Sequence, residues 1–328
     1  MIRRLIGVWI ILVIGMLNVA EAQDPEFSQF YANPLYLNPA LAGAPKCPRA
    51  CLNYRNQWPA LGKTYVTYSA SYDQRVNAIE GSLGLLLYQD VQGDGAINTT
   101  HIGGMYSYTF QVSRNLYMNA AFQATYIQKK LNWDFIFPDM IHPLYGPIYP
   151  TSEILVPTDN SKGHFDFSAG FLGYNRDYFF GIAINHLTQP TESFRGIDDA
   201  VLPRKFTVHF GTNIPLKGAG LKKGDLSISP NLLFQQQQDF QQMNWGLYLN
   251  RKGIVVGTWF RQNLTFNYDS FIMLLGYVED KMKFAYSYDL TTSQLRNQTL
   301  GAHEVSFSMI FPCPKKTDKF RAISCPSF

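Results

Sequence analysis

The sequence predicts an all-β protein: a transmembrane antiparallel β-barrel of about 14 strands, with short periplasmic turns and long extracellular loops. Three observations predict it. Short segments alternate between apolar and polar residues along almost the whole chain. Charged residues make up 16% and aromatics 15%, whereas soluble proteins carry about 25% charge. The links between segments sort by length, short on one side and long on the other.

The chain opens with an export signal. Arg3 and Arg4 precede an apolar run from Leu5 to Leu17, and Ala20-Glu21-Ala22 forms an A-x-A cleavage site. This reads as a Sec signal peptide over residues 1–22, cleaved before Gln23. The competing reading is a membrane anchor, but the run is short for a spanning helix, which needs about 20 apolar residues. No Cys follows the cleavage site, which argues against a lipoprotein.

Residues 23–49 form an N-terminal periplasmic or plug segment, rich in Asn-Pro at Asn33-Pro34 and Asn38-Pro39. It either caps the barrel from the periplasm or enters the lumen.

Residues 50–311 hold the strands. The clearest is 116–128, where Leu116, Met118, Ala120, Phe122, Ala124 and Tyr126 oppose Asn119, Ala121, Gln123 and Thr125. Side chains alternate across a strand, so one face is oily and the other polar. In a soluble sandwich the oily face would turn inward; in an outer-membrane barrel it meets lipid and the polar face lines a wet lumen. Similar alternation marks Phe165-to-Phe171, Met243-to-Asn250 and Glu304-to-Phe311, while 81–90 and 253–261 alternate less well. Pro230 falls inside a strand and lacks a ladder donor, so a bulge is expected there. Gln235 to Gln238 reads as loop.

Counting strands from the first, the links after even strands are mostly short: Gln111–Asn115, Tyr174–Asp177, Asn250–Gly253 and Val278–Lys281. Links after odd strands include the long ones: Lys129–His164, Thr188–Pro203 and Leu290–Gly301. Outer-membrane barrels show this asymmetry, with the short turns periplasmic, and an even strand count then places both termini in the periplasm. Residues 312–328 form a periplasmic C-terminal tail.

Four cysteines, Cys47, Cys51, Cys313 and Cys325, sit in two pairs near the ends of the exported chain. An oxidising compartment permits disulfides. Three connectivities remain open, as do free thiols; the spacings match no standard zinc site. The net charge of +4 gives no argument for nucleic acid.

Several patterns suggest chemistry and fail on spacing. Asp90 to Gly95 resembles half a calcium loop, but its twelfth position is His101 instead of Glu. His303-Glu304 would need a second His at Phe307. Ser168 lacks the flanking glycine and the strand-to-helix turn of a nucleophile elbow, leaving His186 and His209 as weak partners for a lipase-like wall. No enzyme and no cofactor are expected. Asp73, Arg75, Arg204, Lys205, Arg261, Asp289 and Glu304 fit charge pairs that hold strands and plug together, against the alternative of a substrate path.

Longer motifs carry a resemblance. Gln23-Asp24-Pro25-Glu26-Phe27-Ser28-Gln29-Phe30-Tyr31 runs through Asn33-Pro34-Leu35-Tyr36-Leu37-Asn38-Pro39-Ala40 to Gly43. Tyr54-Arg55-Asn56-Gln57-Trp58-Pro59, Tyr72-Asp73-Gln74, Asp90 to Gly95, Tyr106-Ser107-Tyr108 and Phe137-Pro138-Asp139 follow. Then come His186-Leu187-Thr188-Gln189-Pro190, Leu202-Pro203-Arg204-Lys205, Tyr286-Ser287-Tyr288-Asp289-Leu290 and Gly301-Ala302-His303-Glu304. In this order the chain resembles the PorP/SprF family of type IX secretion and gliding-motility membrane proteins of the Bacteroidetes. The resemblance implies an integral outer-membrane barrel working with the type IX machinery. Its expected partners are a large secreted surface protein or adhesin with a type IX C-terminal domain, periplasmic or outer-membrane secretion components, and outer-membrane lipid. It supplies no catalytic residues.

The loop 129–164 is the expected partner-binding surface, through Trp133, Phe135, Phe137, Tyr145 and Tyr149. Aromatics and prolines offer contact area at low entropic cost. The competing reading folds this loop back into the pore. The alternative function is a passive or gated channel for a small solute, which requires an open lumen.

Overall fold

The computed structural model describes residues 24–45, 47–61, 65–132, 136–150, 160–194, 200–216, 226–264, 268–292 and 299–313. Fourteen antiparallel strands close into a barrel: β1 Arg49–Gln57, β2 Tyr65–Val76, β3 Gly81–Gln92, β4 Ile97–Ser113, β5 Leu116–Leu131, β6 Ser161–Tyr174 and β7 Tyr178–Asn185, then β8 Lys205–Thr212, β9 Leu226–Gln237, β10 Phe240–Arg251, β11 Ile254–Gln262, β12 Tyr268–Glu279, β13 Met282–Thr291 and β14 Ala302–Ile310. Each pairs with its sequence neighbours, and β1 closes on β14 from Arg49↔Ile310 to Gln57↔Ala302. No described helix is long and apolar enough to cross a membrane.

Closure pairs every strand on both sides through the body of the barrel, the condition for crossing lipid as a sheet. Alternation then sets the two faces. In β5, Ala120, Phe122, Ala124 and Tyr126 are exposed, while Asn119, Ala121, Gln123 and Thr125 are buried inside. Cross-strand aromatic pairs knit the outer surface: Phe122 stacks on Phe167 at 5.4 Å between centroids, and Trp245 on Phe260 at 4.7 Å. Such pairs each add about 0.2–1 kcal/mol to a sheet.

The even-numbered strands are followed by tight turns at 114–115, 175–177, 252–253 and 280–281, with 213–225 the exception. The end bearing the short turns is periplasmic by the rule for such barrels. The opposite rim holds the loops 132–160, 186–204 and 292–301, although two of its own connections, 93–96 and 238–239, are also tight.

Three expectations are corrected. Pro230 makes no bulge: it lies in register opposite Leu247, and the pairing on its other side is interrupted between Gly211↔Asn231 and Ile214↔Ile228. The register shifts fall instead at Arg261/Gln262 and Gln111/Ser113. Gln235 to Gln237 belongs to β9, where Gln235 and Gln237 point inward and are buried. The lumen is not a wet channel, because the N-terminal segment fills it.

Candidate functional site

Three short helical turns lie inside the barrel: Phe30–Ala32, Pro34–Leu37 and Pro39–Leu41. Each Asn-Pro starts one of the latter two, since proline at the first helical position loses no bond and is preset in φ. Asn38 caps its own turn by accepting from the Ala40 N–H at 2.9 Å. The segment spans the lumen from end to end. Arg49 begins β1 at the periplasmic end, and Asp24 lies at the opposite rim, where its N–H donates to Gln237 Oε1 at 3.2 Å. β14 therefore ends at the short-turn end, whereas Asp24 lies across the barrel from it, at the opposite rim.

Four polar anchors hold it. Near the periplasmic end the Gly43 N–H donates to Asp73 Oδ2 at 2.8 Å, and Arg49 pairs with the same carboxylate at 2.9 Å. Gly43 has φ +69°, and a Cβ there would run into the Ser82 side chain, so glycine is required twice over. A Cys47–Cys313 disulfide joins the segment's base to the residues after β14. This selects one of the open pairings. Cys51 is a buried free thiol whose Sγ donates to Ser308 Oγ at 3.4 Å, and Cys325 lies outside the described residues.

Midway, Asn38 Nδ2 lies 3.1 Å from the Phe171 carbonyl, 3.2 Å from the Ile182 carbonyl and 3.1 Å from His209 Nε2. Gly170 and Gly181 make room for it, since a Cβ on either would collide with the Asn38 amide.

Higher up, Ser28 and Gln29 meet a charge cluster. Arg55 bridges Asp289 at 3.1 Å and Glu304 at 3.2 Å, and Arg261 reaches Asp289 at 3.3 Å. Arg261 also lies 3.9 Å from the carboxylates of Glu26 and Asp269. The Ser28 N–H donates to Glu304 Oε2 at 2.6 Å and the Gln29 N–H to Glu304 Oε1 at 3.1 Å.

At the outer rim His186 lies between two carboxylates, with Nε2 2.9 Å from Asp24 Oδ2 and Nδ1 2.7 Å from Asp166 Oδ2. Both ring nitrogens face acceptors, so both carry protons and the imidazole is a cation. Lys205 adds a second positive charge 3.7 Å from Asp24. Burial alone would raise the Asp24 carboxyl; His186 and Lys205 outweigh it and hold it below the usual carboxylate range.

Apolar contacts complete the seal. Phe30 packs edge-on against Trp259 at 5.3 Å, Tyr31 against Phe179 at 5.3 Å, and Tyr36 against Tyr88 at 5.2 Å. Leu35, Leu37, Ala40 and Leu41 are buried against the same wall. Each large side chain so buried contributes roughly 1.5–3 kcal/mol. An open pore with a solvated wall would expose all of them.

The charge pairs expected from sequence are largely present: Asp73, Lys205, Arg261, Asp289 and Glu304 all hold the segment. Arg204 instead lies exposed, donating to the Leu187 carbonyl at 3.3 Å. Arg55, Asp166 and the anchoring role of His186 were not legible as a set. Asp90 accepts from Thr67 at 2.7 Å and Gln92 at 2.6 Å beside a turn with positive φ at Gly93, Asp94 and Gly95. His303 and Glu304 point to opposite faces, with His303 against Tyr286 and Glu304 inside. Ser168 is buried on the inner wall.

Of the expected partner-binding residues, Trp133 and Phe135 lie outside the described residues. Of the described part of their loop, residues 136–150, most side chains are exposed. A two-residue pairing of Ile141–His142 with Gly146–Pro147 forms a small hairpin. Leu144 is 81% exposed and Tyr145 73%, with Ile148 and Tyr149 also exposed and Phe137 half-buried.

Solved structures similar to this chain are outer-membrane proteins. The toluene transporter TodX of P. putida is 9% identical, with 85% of this chain and 94% of that one covered and a TM-score of 0.47. A Pseudomonas aeruginosa FadL homologue is 13% identical, covering 81% of this chain and 90% of that one, TM-score 0.42. BamA from Haemophilus ducreyi, lacking POTRA domains 1–3, is 10% identical over 81% of this chain and 70% of that one, TM-score 0.40. Among curated proteins nothing matches. The family model of the type IX secretion system membrane protein PorP/SprF matches residues 19–309. With its closed barrel and matching profile, the chain belongs to the PorP/SprF family of type IX secretion system outer-membrane proteins.

Proposed function

We propose that this protein is a plugged platform that supports export or cell-surface attachment of a large secreted partner, such as an adhesin with a type IX C-terminal domain. The observation that carries this reading is the lumen filled along its length by the protein's own N-terminal segment. With the pore occupied, the work falls to surfaces outside it, and the hairpin loop with Leu144, Tyr145 and Tyr149 offers exposed apolar area on the outer side. Exposed aromatics of this kind serve as binding anchors. Periplasmic secretion components would meet the other end, near the Cys47–Cys313 staple.

The test replaces residues 140–150 with a Gly/Ser linker in cells and follows large surface proteins by crosslinked pull-down and mass spectrometry. Loss of a large surface protein from the barrel, with barrel assembly intact, is the expected result. Recovery of that protein at wild-type level refutes docking through this loop.

A second reading, a gated channel for a small solute, draws on a hollow of about 460 Å³ at the outer mouth beside Asp24 and Glu26, lined by Gln57, Gln241, Gln262 and Tyr268. It requires the segment to leave the lumen. Steady unit conductance of the purified wild-type protein in planar bilayers favours it; silence favours the platform.

A further inference from the structure

The strands of the outer rim are unequal in height. β6 pairs with β5 all the way from Tyr117↔Tyr174 to Lys130↔Ser161, yet with β7 only from Tyr174↔Phe179 to Ala169↔Ile184. β7 stops at Asn185, and His186, at φ +58°, turns the chain inward toward Asp24 and Asp166. The last main-chain bond on that side runs from the Leu187 N–H to the Phe167 carbonyl at 2.9 Å. Successive residues of a strand direct their main-chain groups to opposite edges. Since Phe167 faces the β7 side, Phe165 and Gly163 do too, while His164 and Lys162 bond to β5. The donors and acceptors of Gly163 and Phe165 therefore form a bare sheet edge above the end of β7.

Among the described residues no main-chain bond reaches Gly163 or Phe165 from that side, although the loop after β7 passes on the inner face, with Thr188 bonded to Asp166 and Glu192 to Lys129. Proteins blunt such edges with proline, bulges or a covering loop, because a bare edge templates pairing with another chain. Among the described residues this edge carries neither proline nor bulge. Gly163 is small for a local reason, since a Cβ there would strike the Tyr126 hydroxyl. We propose that the Gly163–Phe165 edge of β6 is a docking edge on which an extended segment of the secreted partner adds as a β-strand.

This inference rests on the platform reading and says how the partner is held. The occupant follows from the chemistry. A bare edge presents main-chain donors and acceptors that an extended peptide matches, with side chains adding specificity. Lys162 stands beside the edge and Lys130 one strand further back on β5, whereas Lys129 is already paired with Glu192 at 2.6 Å, so an acidic strand is favoured. In sequence the edge follows the loop bearing Leu144 and Tyr145.

The test uses the full chain in its native cells. Deleting the whole gene and comparing surface proteins with wild type defines the protein that depends on this barrel. Phe165→Pro removes one outward N–H and leaves the β5 ladder untouched, whereas at Gly163 any side chain would also displace Tyr126. Lys130→Glu with Lys162→Glu reverses the flanking charge without any backbone change. Barrel assembly is checked by heat-modifiable mobility. The expected result is release of the same protein into the medium, about tenfold above wild type, by both the proline and the charge-reversal variants. If the deletion releases a surface protein and the assembled variants retain it, the docking edge is refuted and the platform reading stands. If the deletion releases nothing, the platform reading fails and the inference with it. Where the proline variant does not assemble, charge reversal decides: release supports the edge and retention overturns it. Crosslinking of Phe165→Cys to a second copy of this chain, in place of a partner, also overturns it.

Discussion

Ser28 Oγ accepts a hydrogen bond from Arg55 Nη1 at 2.6 Å, inside the barrel and 27 residues away in sequence. Arg261 Nη2 supplies a second at 2.9 Å, and the hydroxyl donates to Asp289. A hydroxyl has one proton to give and two lone pairs to fill, so Ser28 is fully used. Ser28→Ala is expected to destabilise the seated segment by roughly 1–3 kcal/mol, the usual loss when buried charged partners go unmet. Arg55→Ala is expected to be worse, about 3–5 kcal/mol, because Asp289 and Glu304 lose their shared cation. Urea midpoints of the folded barrel in detergent, read together with bilayer conductance, check both. The expected signature is brief channel openings absent from the wild type.

The outer anchor sets a pH dependence. Asp24 is held below its ordinary range when the segment is seated. A depressed folded-state value contributes stability that is fully present above the unfolded value, about 3.9, and is lost as pH falls through the lower folded one. The Asp24 contribution to seating is therefore expected to be flat from neutrality down to about pH 4 and to fall only in stronger acid. Asp24→Asn removes this term at all pH values and leaves His186 with one carboxylate fewer. Conductance at stepped pH, wild type against Asp24→Asn, measures the difference. A difference between wild type and Asp24→Asn that already shrinks between about pH 7 and 5 contradicts the assignment.

Gly43 and Gly104 make a matched pair of tests. Gly43→Ala forces a Cβ at φ +69° and into Ser82, with an expected loss of roughly 1–3 kcal/mol. Gly104→Ala meets nothing within 4 Å and is expected to stay within about 0.5 kcal/mol of wild type. Thermal unfolding of the two variants by gel mobility separates them. Equal effects would mean that Gly43 does not pack against the wall.

The cysteines give a chemical test. In a Cys325→Ser background, Cys47→Ser with Cys313→Ser opens a link spanning 266 residues and is expected to lower stability by roughly 2–4 kcal/mol. Cys51 is buried, so maleimide should label no thiol in the native Cys325→Ser protein and one only after unfolding. Rapid native labelling of Cys51 would place it elsewhere.

The fourteen strands and the sorted loops were readable because both are local signals: a period of two and the spacing between runs. The seated segment was not, because its contacts are remote. Asp24 meets His186 across 162 residues, and Ser28 meets Glu304 across 276. Yet it left a trace. The two stretches that alternated poorly, 81–90 and 253–261, are where the inner face is itself apolar. Leu86 and Tyr88 turn inward beneath Leu35 and Tyr36, and Val255 and Trp259 beneath Phe30. A strand buried on one face by lipid and on the other by a packed segment loses its alternation. Arg55 gave no such hint, since an inward Arg on a barrel wall reads as lumen lining.

Ser28 and Gln29 touch both sides of the seam where the barrel shuts: Arg55 lies in the first strand and Glu304 in the last. Before those strands meet, one edge carries a lone cation and the other a lone anion. The segment beside them is the body on which they are brought together. In the closed barrel the segment thus ties the first strand to the last, with the Cys47–Cys313 bond as a covalent clasp beside the same seam. Shortening residues 24–44 should therefore leave unclosed sheets, and not open pores, in the membrane fraction. A further corollary concerns orientation. An epitope fused ahead of Asp24 would emerge at the cell's outer face, although the strand leaving the segment starts at the inner one.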